Sequence, residues 1–142
     1  MTEPLLDELD RRILDCLVED ATRSHKEIGQ LVHLTGQAVG ARIRKLEESG
    51  IVEGYTIRYR PERLGKPVHA LVTVFMHPAS SHASFQRFVA EDDRVAETVR
   101  VSGEGCYWLR VHAGTHDELN AFLDELLKYG NYRCSLSIGR IK

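Results

Sequence analysis

Residues 24–52 read SHKEIGQLVHLTGQAVGARIRKLEESGIV, and this stretch decides the fold of the N-terminal part of the chain. Ser24 followed three residues later by Glu27 is a capping box, in which each side chain satisfies an orphan backbone N–H of the other residue. Ile28, Leu31 and Val32 then form the apolar stripe of a short helix. Gly29 inside that helix costs about 1 kcal/mol relative to alanine, so a close crossing by another helix is expected there. Thr35 is a second N-cap. Val39, Ile43 and Leu46 fall on one face of the helix that follows, and Gly50 stops it. Two helices joined by a turn as tight as VHLT make a helix-turn-helix. A first helix precedes them in LLDELDRRILDCLVED (residues 5–20), with Asp7 as its N-cap, Leu9, Ile13 and Leu17 four residues apart, and Leu6 and Leu14 alongside.

The face of the third helix opposite its apolar stripe carries Gln37, Ala41, Arg44 and Glu48, flanked by Gly40 and Lys45. A helix that lies in a DNA groove must present hydrogen-bonding groups to base edges and cations to phosphates. Gln37 suits adenine, and Arg44 suits guanine or a phosphate. Arg42 and Lys45, to the sides, suit phosphates. Thr35, Gly36 and Gln37 bring helix N-terminal amides to the backbone, and Gly40 and Ala41 are small enough for close approach. IVEGYTIRYR (residues 51–60) is β-prone and reads as an extended strand or wing, with Arg58 and Arg60 as further phosphate contacts. A lone cation is ordinarily a solvated surface residue. Their concentration on the second helix of a helix-turn-helix favours nucleic acid.

The distribution of charge agrees. The chain of 142 residues has a net charge of −2, but residues 1–20 carry −5, residues 21–66 carry +4 and residues 67–142 carry −1. A basic footprint confined to one module is what a small DNA-binding domain shows. No apolar run is long enough to span a membrane, and the acidic start has no signal-peptide core, so the cytoplasm, at the nucleoid, is the expected location. Three cysteines, Cys16, Cys106 and Cys134, without C-x-x-C spacing argue against a disulfide framework or zinc ribbon. The seven histidines are scattered, and His112 and His116 straddle a strand end and a helix start, so no metal site is expected. No cofactor is expected either. A hydrolase is not supported, because neither G-x-S-x-G nor an activated-cysteine signature occurs.

PERLGKP (residues 61–67) is the best linker, and the boundary is placed near Arg60–Lys66: a first domain over residues 1–60, a hinge to about 67, and a second domain over 68–142. VHALVTVFMH reads as a strand buried on both faces. SSHASFQRFVAEDD carries Phe85, Phe88 and Val89 at helical spacing. VAETVRV is a strand, SGEG a tight turn, and CYWLRVHA a strand. THDELNAFLDELLKYG opens on Thr115 and Glu118, another capping box, and YRCSLSI alternates Tyr132, Cys134, Leu136 and Ile138. The order β-α-β-β-α-β is the ferredoxin-like split βαβ unit, giving an α+β chain. Two helices on one sheet face leave the other face for a second copy.

LDELDRRIL, EIGQLVHLT and VGARIRKLEESGIVEGY resemble the opening of the Lrp/AsnC family of prokaryotic transcription regulators, RLGKP resembles its hinge, and VSGEGCYWLRV its sensor loop. The resemblance runs from about Leu6 to Ile141. It implies a winged helix-turn-helix that reads double-stranded DNA and a ferredoxin-like sensor domain that dimerises through its sheet. Homodimers assembling to tetramers or octamers are implied, as is a small-molecule effector, typically an amino acid, at the loop Gly103, Glu104, Gly105, Cys106. Two positions depart from the family. His33 stands where the turn usually has glycine; histidine is among the residues enriched at positive φ. Cys106 stands where the loop usually has aspartate, the natural partner of an α-ammonium group, and leaves Glu104 as the loop's carboxylate.

Two other readings share this architecture. Siroheme decarboxylases resemble it without acting on DNA, and the basic third helix argues against that enzymatic alternative. A weakly specific architectural DNA-binding protein is the other.

Overall fold

The computed structural model describes residues 5–142. The chain divides into two compact units, Met1–Arg58 and Tyr59–Lys142, each with its own apolar core.

The first unit holds α1 (Glu8–Glu19), α2 (His25–Val32) and α3 (Gly36–Glu48). Each helix starts where its side chains cap it. The Asp10 N–H donates to Asp7 at 2.8 Å, and the Asp7 N–H donates back to Asp10 at 3.2 Å. Ser24 and Glu27 exchange the same pair of bonds, and the Thr35 hydroxyl accepts the Ala38 N–H. Helices of 8–13 residues are too short to persist alone. Ile13, Ile28, Val32, Val39, Ile43 and Leu46 lock them together, all at most 4% exposed, at about 1.5–3 kcal/mol per fully buried aliphatic side chain. Leu31 is not in this core, being half exposed.

The turn between α2 and α3 is where the sequence departs from glycine. His33 takes φ 60°, ψ 44°, the left-handed cap expected of it. The Leu34 N–H then donates to the Gly29 carbonyl at 2.9 Å, the six-to-one bond of a Schellman motif. Gly29 is explained by this turn rather than by a crossing helix: a Cβ there would lie 2.4 Å from the Leu34 carbonyl oxygen.

IVEGYTIRYR forms no strand. Its start is tied to α3, with the Ile51 and Val52 N–H groups both donating to the Leu46 carbonyl. Beyond Val52 it has no regular secondary structure and pairs with no strand, and Tyr55, Ile57 and Tyr59 are exposed.

In the second unit, PERLGKP is not a free linker. Pro61–Leu64 is a single 3-10 turn closed by Gly65 at φ 77°, and Lys66 donates to the Asp93 carbonyl at 3.4 Å. The strands β1 (Val68–Met76), β2 (Val95–Arg100), β3 (Tyr107–Ala113) and β4 (Gly130–Leu136) form one antiparallel sheet in the order β2-β3-β1-β4. Helices α4 (His82–Glu91) and α5 (His116–Leu126) supply Phe85, Val89, Leu119, Phe122, Leu123 and Leu126 to a core completed by Ala70, Val72, Val74, Tyr107, Leu109 and Val111. This is the βαββαβ arrangement the sequence predicts.

Three details differ. The second capping box is half formed: Thr115 accepts the Glu118 N–H, but the Glu118 carboxylate takes the Gly114 N–H at 2.6 Å instead of that of Thr115. Ile138 lies beyond β4, fully exposed. Most consequentially, β1 is buried on one face only. Ala70, Val72 and Val74 are sealed, while Leu71, Thr73 and Phe75 are half-buried on the face away from α4 and α5.

Candidate nucleic-acid interface and sensor loop

Helix α3 is fixed by its apolar side, which leaves Gln37, Ala41, Arg44, Lys45 and Glu48 exposed. Thr35 caps the helix, and Gly36 sits against α2: a Cβ there would be 3.3 Å from the Lys26 nitrogen. Gly36 therefore lets the start of α3 dock on the first turn of α2. Gly40 has the same kind of reason, since a Cβ on it would lie 2.8 Å from Nδ1 of His25. The structure thus gives Gly36 and Gly40 packing roles. Ala41 has an open face in front of it.

The four cations of this region divide by partner. Arg44 is exposed and makes no ion pair or hydrogen bond among the described residues. Arg42 is committed elsewhere. Its guanidinium donates to Asp7 at 2.6 Å and to Asp10 at 2.9 Å. Asp10 is wholly buried, and the Arg42 hydrogen bond holds the Asp7 carboxyl down at about 2. Lys45 lies 3.5 Å from the same Asp10 but keeps its side chain half exposed. Arg12, on α1, donates to the Leu31 carbonyl at 3.0 Å, tying α1 to the end of α2. Arg42, expected at phosphate, thus also holds α3 to α1, because a buried carboxylate left without its cation is costly. Position 10 carried the missed signal. It follows Leu6 by four and precedes Ile13 by three, which places an acid on the apolar side of α1 where only a cation from another helix can meet it.

The loop Gly103–Cys106 joins β2 to β3. Gly103 and Gly105 adopt φ 99° and 80°, which only glycine takes without strain. Gly105 also lies against β1, where a Cβ would be 2.6 Å from the Thr73 methyl. The Cys106 N–H donates to the Val74 carbonyl at 2.7 Å, and its carbonyl accepts the Val101 N–H. Cys106 itself is partly buried against the core. Glu104 turns outward and pairs with Arg133 of β4, whose guanidinium lies over the Phe75 ring. Arg133 was not singled out from sequence, because only the β1–β4 register, with Thr73 opposite Arg133, brings it to the loop.

Among the described residues, no group of three or more His, Cys, Asp or Glu is placed to hold a metal ion, and no helix is long and apolar enough to cross a membrane.

Residues 6–47 match the AsnC-type helix-turn-helix domain, and residues 69–142 match the Lrp/AsnC ligand binding domain. The chain is 42% identical over 137 residues to the HTH-type transcriptional regulator LrpB of Bacillus subtilis, covering 96% of this chain and 91% of that protein. It is 34% identical to LrpA of the same organism, covering 96% and 100%. Among solved structures, Bacillus subtilis LrpC superposes with a TM-score of 0.91 at 25% identity, over 98% and 99% of the two chains. The transcriptional regulator NMB0573 of Neisseria meningitidis in its L-Met complex superposes with a TM-score of 0.89 at 26% identity, over 97% and 93%.

Proposed function

The chain belongs to the Lrp/AsnC family of transcription regulators, and on that footing we propose that it is a sequence-specific DNA-binding regulator modulated by a small-molecule effector. The observation that carries the reading is the exposed face of α3. There Gln37, Ala41 and Arg44, which has no partner among the described residues, stand together on a helix held rigidly from behind. Arg44 and Gln37 are the base-reading residues. Lys45 and the amides around Thr35 and Gly36 meet phosphate. Arg58 and Arg60, on the irregular segment after Val52, add non-specific attraction.

The effector binds at the Gly103–Cys106 loop, where Gly103 and Gly105 leave backbone amides accessible. With Cys106 in the aspartate position, Glu104 and Arg133 are the charged groups available to an amino acid there. The half-buried sheet face of Leu71, Thr73, Phe75 and Trp108 is covered by a second copy, and the resulting dimer reads two half-sites. Dimers assemble further, to tetramers or octamers. The protein works in the cytoplasm at the nucleoid and, like the regulators it is similar to, is not an enzyme.

The test is selection of sheared genomic DNA on the purified protein at physiological salt, where non-specific affinity is weak. Recovery of a few loci sharing a two-fold motif supports the reading. Uniform recovery refutes sequence specificity in favour of an architectural role.

A further inference from the structure

The exposed face of α3 has two flanks, and they differ. At about 100° per residue, Lys45 lies to one side of Ala41, while Gly36, Gly40 and Glu47 lie to the other. A helix about 10–12 Å across fills a major groove about 12 Å wide, so its two flanks meet the two phosphate backbones. On the first flank α3 supplies its own cation, the half-exposed Lys45. On the second flank its first two turns carry only the glycines, and Glu47 beyond them accepts the Tyr55 hydroxyl.

What stands on the second flank comes from α2. His25 is the first residue of that helix, and its ring lies on Gly40, where a Cβ would be 2.8 Å from Nδ1 and 3.2 Å from Cε1. Glycine inside a helix is disfavoured against alanine, so Gly40 gives up propensity where the imidazole needs room. Gln37 and Arg44 are the neighbours of Gly40 on the exposed side, three residues before it and four after. The ring is therefore continuous with the face that carries them. His25 is exposed and makes no hydrogen bond or ion pair among the described residues.

The carboxylates near it are bonded to other groups. Glu27 takes the Ser24 N–H at 2.7 Å, Asp20 is held by Thr22, and Glu19 pairs with Arg23. Lys26 follows His25 on α2, and Arg44 stands beyond Gly40 on α3. From α1, Arg12 is bonded to the Leu31 carbonyl at the other end of α2.

We propose that His25 contacts DNA, its imidazolium donating a hydrogen bond to a backbone phosphate along the Gly36–Gly40 flank, on the strand opposite the one met by Lys45. This rests on the reading of α3 as the DNA-binding helix and adds α2 to the interface. A phosphate favours the charged ring, so binding takes up a proton. Imidazole changes charge near neutral pH, and affinity therefore rises as pH falls from 8 to 6.

The experiment is a fluorescence anisotropy titration of the full-length protein with a labelled mixed-sequence duplex of about 30 base pairs at about 50 mM salt, where phosphate contacts dominate. Wild-type protein should bind about threefold more tightly at pH 6 than at pH 8, the size of one exposed ion pair. His25→Gln should bind equally at both, with a salt slope at pH 6 lower by about one phosphate contact. His25→Lys should bind at pH 8 as wild-type protein does at pH 6. Gly40→Ala, whose added carbon displaces the ring, should lose the pH response without lowering the urea midpoint. His33→Asn, at the turn, should keep it. Wild-type binding that is flat in pH, or a pH response that survives in His25→Gln, would overturn the proposal and leave the DNA-binding reading standing. A wild-type protein that binds no duplex at either pH would overturn both.

Discussion

Replacing Arg42 by alanine separates two roles that the sequence alone does not distinguish. Arg42 bridges Asp7 at 2.6 Å and Asp10 at 2.9 Å, and Asp10 is wholly buried. Removing one partner of a buried ion pair costs about 3–5 kcal/mol. Asp10 would retain Lys45 at 3.5 Å and the Asp7 N–H at 3.2 Å, so about 2–3 kcal/mol is the expected loss. At roughly 0.05–0.15 kcal/mol per residue, a unit of this size has only about 3–9 kcal/mol in total. The first unit of Arg42→Ala should therefore be close to unfolding at 37 °C. Urea denaturation followed by far-UV circular dichroism reads this as an earlier first transition, while the tryptophan fluorescence of Trp108 in the second unit keeps its midpoint. Replacing Arg42 and Asp10 together by leucine should recover much of the loss, because no charge is then left buried. Asp7 adds a pH signature. Its folded value of about 2 lies below the ordinary 3.8. Its contribution is thus full above pH 4 and lost as pH falls toward 2, and this acid sensitivity should be smaller in Arg42→Ala. Normal stability in Arg42→Ala, combined with a DNA affinity less steep in salt by one phosphate contact, would refute the reasoning and return Arg42 to the interface.

Arg44→Ala should behave in the opposite way, with the urea midpoint unchanged within about 0.5 kcal/mol and operator affinity reduced by about 1–3 kcal/mol in a fluorescence anisotropy titration. An Arg44 variant that binds its operator normally would remove the central residue of the proposed readout. His33→Gly should stabilise the first unit by up to about 1 kcal/mol, since φ 60° is strained for histidine and free for glycine. A lower midpoint would mean that the His33 side chain makes a stabilising contact. Gly29→Ala should destabilise by about 1–3 kcal/mol, because the added carbon meets the Leu34 carbonyl at 2.4 Å, a backbone atom fixed by the turn; a neutral effect would show that the turn can shift.

The parts of the protein legible in its sequence are those set by neighbours a few residues apart. The caps at Asp7, Ser24, Thr35 and Thr115, the apolar spacing of α1, α3 and α5, the succession of strands and helices along the chain and the left-handed turn at His33 all follow from residues close together in sequence. What only the tertiary structure decided is which side chains remain free once those elements pack. Arg42 and Arg44 look alike on the helix, but Arg42 meets an acid 32 residues away and Arg44 meets none among the described residues. Gly40 is small because of His25 on another helix. Glu104 is engaged by Arg133 because of a strand register, and His69 and His112, scattered in sequence, stack because β1 and β3 run antiparallel. Propensity and periodicity record only local energies. The partner of a charge, and the value of a glycine, depend on surfaces that come together after the chain has closed.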